Sequence, residues 1–242
     1  MLTTGVLEIR ADRGGFAERS PFQPERVDDL PDVPVLQETL LLMELKARDF
    51  SVDLHELSQL VLSDVGATLQ ILRLAAREFG ASGERPVRIE DCISSLGLEA
   101  CLKAAARQTV SGHPRHRTVL ETWAHSREIA QCSKAAAEAT ASAIHPDDAY
   151  LAGLLHALPL LPATLGWNLR EHGLKEGTTA GLVMAVRWRL PRSIREYFRE
   201  LQAPGSGTQW SAIVEHAHQS ARRSSIRCPH YDTLTPRLHK RA

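Results

Sequence analysis

From Val35 to Arg222 the apolar residues of this chain recur at intervals of three and four, and no segment alternates them with polar residues over the length of a strand. A 3.6-residue period gathers such side chains on one face of a helix, whereas a half-buried strand needs a period of two. This one feature predicts an all-α fold. It also removes strand-borne phosphate loops from consideration, and neither G-x-x-x-x-G-K-S nor G-x-G-x-x-G after a strand occurs.

Local signals divide the helical stretch. Val35, Leu36, Thr39, Leu40, Met43 and Leu45 predict a first helix, with Pro34 suited to its first turn. Asp53 and Glu56 stand at capping-box spacing ahead of Leu57, Leu60 and Val61. Ser63 or Asp64 caps a helix bearing Leu69, Ile71, Leu72, Leu74 and Ala75, which Gly80 ends in a left-handed conformation. A short helix from Ile89 to Leu96 stops at Gly97, and another is expected from Leu98 to Val110. Ser111 to Arg117, with Gly, Pro and charge but no apolar period, reads as an internal boundary.

Beyond it, Val119, Leu120, Trp123, Ile129 and Ala130 begin a long helix running toward Ala143. Pro146 opens the next one, with Asp147 and Asp148 at its positive dipole end. Tyr150, Leu151, Leu154 and Leu155 continue it until Pro159 forces a break, which puts His156 at a helix C-terminus. Further helices are expected at Thr164–His172, at Thr178–Arg189, after Pro191 and from Trp210 to Arg222. The expected organisation is an irregular arm over 1–28, a helical domain over 29–222 and a basic tail over 223–242. Within the domain, an N-terminal lobe spans about 29–111 and a second lobe about 117–222.

Composition narrows the function classes. With 43% apolar residues in 242, the chain has material for a sizeable core. Lys+Arg and Asp+Glu are 29 each, so no global field draws nucleic acid or an anionic membrane. The longest uncharged stretch, Leu151 to Trp167, is shorter than the roughly 20 residues a bilayer needs and contains His156, Pro159 and Pro162; no membrane span is expected. Residues 1–20 lack the apolar segment of a signal peptide, so the expected location is cytoplasmic. Cys92, Cys101, Cys132 and Cys228 have neither C-x-x-C spacing nor histidines at zinc-finger distance, and read as reduced thiols.

Six segments then occur in a telling order: Leu30-Pro31-x-Val33-Pro34, "DVGATLQILRLA" (64–75), "IEDCISSLGLEAC" (89–101), "WAHS" (123–126), "DDAYLAGLLH" (147–156) and "RWRLP" (187–191). In this order they resemble the HDOD domain, a bacterial signalling output domain related to HD-type phosphohydrolases, over about residues 28–222. The resemblance implies a two-lobed helical bundle, with an N-terminal helical lobe packed on a degenerate HD-like lobe. It implies a non-enzymatic regulatory module that acts through protein partners of a bacterial signalling pathway, here as a stand-alone copy, and a homodimer is compatible with it.

The resemblance also locates a site. Active HD enzymes hold divalent metal with a first His, a His-Asp pair and a later Asp. By the matching motifs His125 takes the first place and His156 the second, while Ala157 stands where the pair's acid belongs. In "IVEHAHQSA" His218 occupies the place of the later acid. Alanine offers no lone pair, so the hard oxygens that would bind metal and activate water are missing. The expectation is therefore no catalytic residue, no cofactor, and three histidines retained for structure. The alternative is a three-imidazole site on His125, His156 and His218 for a divalent transition metal, supporting a metal-dependent phosphohydrolase or nucleotide-binding protein. His172 and His216 are expected at the surface. "EYFRE" (196–200) stands where many HD-related sequences carry a His-His pair, which weakens the enzymatic alternative.

Two basic features remain. Arg187, Arg189, Arg192, Arg195 and Arg199 are close enough in sequence to form a patch for an anion or partner, though Glu196 and Glu200 balance them as on an ordinary solvated helix. Six basic residues between Ala221 and Ala242 face one acid, Asp232, and read as a basic tail. No base-reading motif accompanies them, so nucleic acid is not an expected partner. Trp123 and Trp188, among apolar neighbours, are expected in the core.

Overall fold

A computed structural model of the chain describes residues 30–48, 53–80, 88–140, 142–175, 177–202 and 209–223. The arm over 1–28 and the tail beyond 223 lie outside them, and so does Cys228. The regular elements among the described residues are all helices. Their one extended pairing is an isolated parallel bridge between Val35 and Thr109.

The first five helices are α1 (Gln37–Ala47), α2 (Leu54–Leu62), α3 (Val65–Glu78), α4 (Ile89–Leu96) and α5 (Leu98–Ala105). Their ends follow largely from local chemistry. The Asp53 carboxylate accepts from the His55 N–H at 2.8 Å, and Asp64 accepts from the Gly66 and Ala67 N–H groups at 2.8 and 3.1 Å. Gly97, at φ +82°, separates α4 from α5. Glu56 departs from the capping-box expectation: its carboxylate takes the Lys46 ammonium of α1 at 2.6 Å rather than reaching back to the helix start.

Two predicted boundaries move for one reason. Val35 and Leu36 lie before α1, and the fifth helix stops at Ala105 rather than continuing to Val110. The Val35 N–H donates to the Gln108 carbonyl and the Val110 N–H donates to the Val35 carbonyl, each at 2.9 Å. Both valines are buried, so a long-range pairing satisfies backbone groups that a helix would otherwise have used.

The remaining helices are α6 (His116–Ala139), α7 (Pro146–Leu155), α8 (Leu161–Leu165), α9 (Thr178–Arg187), α10 (Arg192–Glu200) and α11 (Gln209–Arg223). The helix expected over Thr164–His172 is not one continuous element. Gly166 adopts φ +70° and ends α8, and turns follow to Gly173. The principal packing is α6 against both α7 and α11. At the α6–α7 crossing a Cβ on Gly153 would sit 2.7 Å from Ala130 Cα and from Ser133 Oγ, so only glycine allows the two backbones to approach this closely.

A continuous apolar core joins the two groups of helices, and buried polar contacts fix how they meet. Trp123 of α6 donates its indole N–H to Asp64 at 3.1 Å, and the Tyr150 hydroxyl of α7 donates to the Leu62 carbonyl at 3.1 Å. The Arg73 guanidinium of α3 lies over the Trp188 ring, 5.0 Å from its centroid. Trp123 and Trp188 are thus core residues, as expected from sequence. No helix among the described residues is long and apolar enough to cross a membrane.

Candidate functional site

The site follows from the three-helix junction. His125 projects from the middle of α6, His156 caps the C-terminus of α7 and His218 lies on α11. Their ring centroids are 5.2 Å (His125–His156), 5.3 Å (His125–His218) and 4.8 Å (His156–His218) apart. One nitrogen from each lies within 4.8 Å of the others, the only such group of potential metal ligands among the described residues. Exposures of 5%, 7% and 3% place all three in the interior. The convergence implied by the resemblance is therefore present in the fold.

Each imidazole is held differently. His156 Nδ1 lies 2.6 Å from the Gly153 carbonyl. A carbonyl only accepts, so Nδ1 carries the proton and Nε2 carries the lone pair. The helix turn that Gly153 opens for α6 packing thus also sets the tautomer of His156. His125 has neither ring nitrogen hydrogen-bonded.

Burial favours the neutral form of His125 and His156. Desolvation, reinforced by the neighbouring His125, pushes His156 down to about 3 against the opposing pull of the Gly153 carbonyl. Burial also lowers His125, opposed by the charge of Glu128 one turn further along α6. Neutral imidazole is the form that ligates metal.

The donor set does not fit the carboxylate centre of an HD phosphohydrolase. Ala157, 3% exposed, has no donor atom, and by the resemblance the buried His218 imidazole takes the place of the later acid. Without anionic oxygen the cluster cannot hold or bridge hard cations such as Mg2+ in the usual way. Nitrogen donors alone suit a single borderline ion.

The other candidates are scattered. Arg187 donates to the His172 carbonyl, Arg192 pairs with Glu196 at 2.6 Å one helical turn away, and Arg189 adopts a left-handed φ of +50°. Arg195 is half-buried and Arg199 is exposed. Two of the five arginines are thus already engaged within the fold. Tyr197 and Phe198 of "EYFRE" are core residues. His216 is exposed as expected, whereas His172 is half-buried with its ring edge-on to Trp167. Cys92 and Cys101 are buried and Cys132 is half-buried, and burial pushes the Cys101 thiol up to about 11.

Sequence reasoning missed the buried polar pair of Asp64 and Trp123, the Arg73–Trp188 contact and the Gly153 carbonyl. Signals were available for two of them: Asp64 is the acid that opens an otherwise apolar run, and Arg73 sits on the apolar face of its helix.

Comparison with known proteins fits this fold. The family model described as the HDOD domain matches residues 31–165. The MmoQ response regulator of Methylococcus capsulatus str. Bath superposes with a TM-score of 0.62 at 18% identity, over 82% of this chain and 90% of that one. A virulence factor of Campylobacter jejuni subsp. jejuni superposes with a TM-score of 0.54 at 15% identity, over 84% of this chain and 82% of that one. At these identities the likeness is one of fold. No curated protein matches the sequence.

Proposed function

The chain belongs to the HDOD domain family, and we propose that it is a regulatory module of a signalling pathway that acts by binding a protein partner and performs no hydrolysis of its own. The observation that carries this reading is the missing chemistry at the three-helix junction. By the resemblance Ala157 and His218 stand where two metal-binding acids belong, and both are buried. A phosphohydrolase must admit a phosphate ester to a metal-activated water. Neither the donors nor the access for that step is present among these groups. The likeness in fold to a response regulator agrees with a signalling role.

Binding needs a surface, and α1 supplies an apolar one. Leu41, Leu42 and Leu45 are 50%, 46% and 61% exposed. Side chains of this kind are usually covered in a functional complex when they cluster. The test is site-specific cross-linking in the native cells from a photoreactive residue at position 45, compared with one at the exposed position 117. A defined adduct from 45 alone supports the reading, and equal labelling from both positions counts against it.

The runner-up reading is a metal-dependent phosphohydrolase or nucleotide-binding protein that uses His125, His156 and His218. The convergence of the three rings favours metal at this place. It does not supply the carboxylates that hydrolysis requires.

A further inference from the structure

We propose that His125, His156 and His218 bind one borderline divalent ion of the Zn2+ class, which clasps α11 to the α6–α7 pair. The proposal concerns the junction discussed above but does not depend on the regulatory reading, since a regulatory module and an enzyme can each hold a structural ion.

Geometry is the first support. The three nitrogens lie within 4.8 Å of one another. Tetrahedral Zn2+ with Zn–N bonds of about 2.0–2.1 Å places its nitrogens ~3.4 Å apart. Each ring reaches that spacing by moving inward by less than ~1 Å, a shift that small side-chain rotations provide. The three residues come from three different elements, so an ion here ties α11 to α6 and α7, from which α8, α9 and α10 separate it along the chain.

Unsatisfied polarity is the second. His125 is 95% removed from solvent by its 5% exposure, yet both ring nitrogens lack a hydrogen-bond partner. A buried polar group in that state costs free energy unless something occupies its lone pair. A metal ion does so, while packing alone does not.

Second-sphere control is the third. The Gly153 carbonyl holds the proton of His156 on Nδ1, leaving Nε2 as the ligand atom. A backbone carbonyl on the distal nitrogen is the usual outer partner of a metal-bound histidine, where it fixes the ring and raises its basicity. Glu128, whose charge acts on His125, adds negative potential near the bound cation.

The donor set also selects the ion. Imidazole suits Zn2+, Cu2+ and Ni2+, while Mg2+, Ca2+ and Mn2+ prefer oxygen. Replacement of the pair's acid by Ala157 and the presence of His218 therefore change the class of metal rather than abolish the site. A fourth ligand from water completes the coordination. The exposures of 3–7% leave little room for a substrate at that position, so the ion acts as a clasp.

The test uses the full chain freed of metal with chelator and titrated with Zn2+ by calorimetry, with Co2+ absorption as a second probe. The expected results are one equivalent bound, a Co2+ spectrum of four-coordinate type and a higher unfolding temperature in the presence of Zn2+. His218→Leu should weaken binding on the order of 100-fold while the circular dichroism of the metal-free protein stays unchanged. His216→Ala, one exposed neighbour away, should bind as the wild type does. If His218→Leu does not fold, zinc X-ray absorption on the wild-type protein decides, because it counts coordinated imidazoles without a variant. Absence of one-equivalent binding, binding that His218→Leu leaves intact, fewer than two imidazoles at the metal, or displacement of Zn2+ by equimolar Mg2+ would each overturn the proposal. None of these outcomes bears on the cross-linking test of the regulatory reading.

Discussion

Trp123 Nε1 donates a hydrogen bond to Asp64 Oδ1 at 3.1 Å, deep in the interior, and so ties the helix that bears His125 to the N-terminus of α3. The same carboxylate accepts from the N–H groups of Leu36 at 2.7 Å, Gly66 at 2.8 Å and Ala67 at 3.1 Å. Burial pushes its pKa up, and the N–H groups of Leu36 and Ala67, the Thr39 hydroxyl and the Gly66 N–H act in the opposite direction. One side chain thus caps a helix, anchors the segment before α1 and positions α6.

All these partners are donors, which gives a sharp prediction for Asp64→Asn. Its amide NH2 must face at least one N–H that the carboxylate now accepts. The expected cost is about 2–3 kcal/mol of stability, measured by urea denaturation followed through tryptophan fluorescence. Trp123→Phe, which removes a single donor and leaves the rest, should cost less.

Close backbone approach predicts the outcome at two glycines. Gly153→Ala places a Cβ 2.7 Å from Ala130 Cα, and Gly66→Ala places one 2.1 Å from the Pro34 carbonyl oxygen. Each should destabilise by about 1–3 kcal/mol through overpacking. Gly112→Ala meets only Thr109 Oγ1 at 3.9 Å and should change stability by less than about 0.5 kcal/mol. Gly153→Ala should also displace His156, visible as changed imidazole resonances in the NMR spectrum.

Acid should weaken the metal-free fold. Burial lowers both His125 and His156 below the ordinary imidazole value, His156 to about 3. Between roughly pH 6.5 and 3 the unfolded chain therefore takes up protons that the folded chain refuses, so the stability present above pH 6.5 is lost as pH falls through that window. The slope is at most about 1.4 kcal/mol per pH unit for each histidine. Urea midpoints at pH 7.5 and 5.0 measure it, and His156→Leu should shrink the difference. A midpoint independent of pH over this range would contradict the assigned burial.

The outer face of α1 should be dispensable for folding. Leu41→Ser combined with Leu45→Ser removes two exposed leucines and should leave the unfolding midpoint within about 0.5 kcal/mol of wild type. Leu41→Ser combined with Leu42→Ser, which leaves position 45 for the photoreactive residue, should abolish the cross-linked adduct expected from this face.

Local signals were the legible part of this fold. Pro146 at the first turn of α7, with His145 as the cap and Asp147 and Asp148 following, is chemistry written within a few residues. The same holds for the left-handed Gly97 and the Asp64 cap. Extended residues 35 and 109 were not legible, because their pairing joins positions far apart in sequence and competes with a helical period that both segments carry. The break at Gly166 depends on a backbone angle that an apolar pattern does not encode. For the site, the motif resemblance identified the three histidines. Their meeting could not be read from periodicity, which assigns a residue to a helix face but does not say which helix covers it. The orphaned nitrogens of His125 lie one step further away, since they depend on every neighbour at the junction.

The most direct measurement of the central claim is hydrolysis of phosphate mono- and diesters by purified protein supplied in turn with Mg2+, Mn2+ and Zn2+. A junction that lacks both acids predicts no turnover above that of the His125→Ala/His156→Ala variant under every metal. Metal-dependent turnover by the wild type, lost in that variant, would contradict the account.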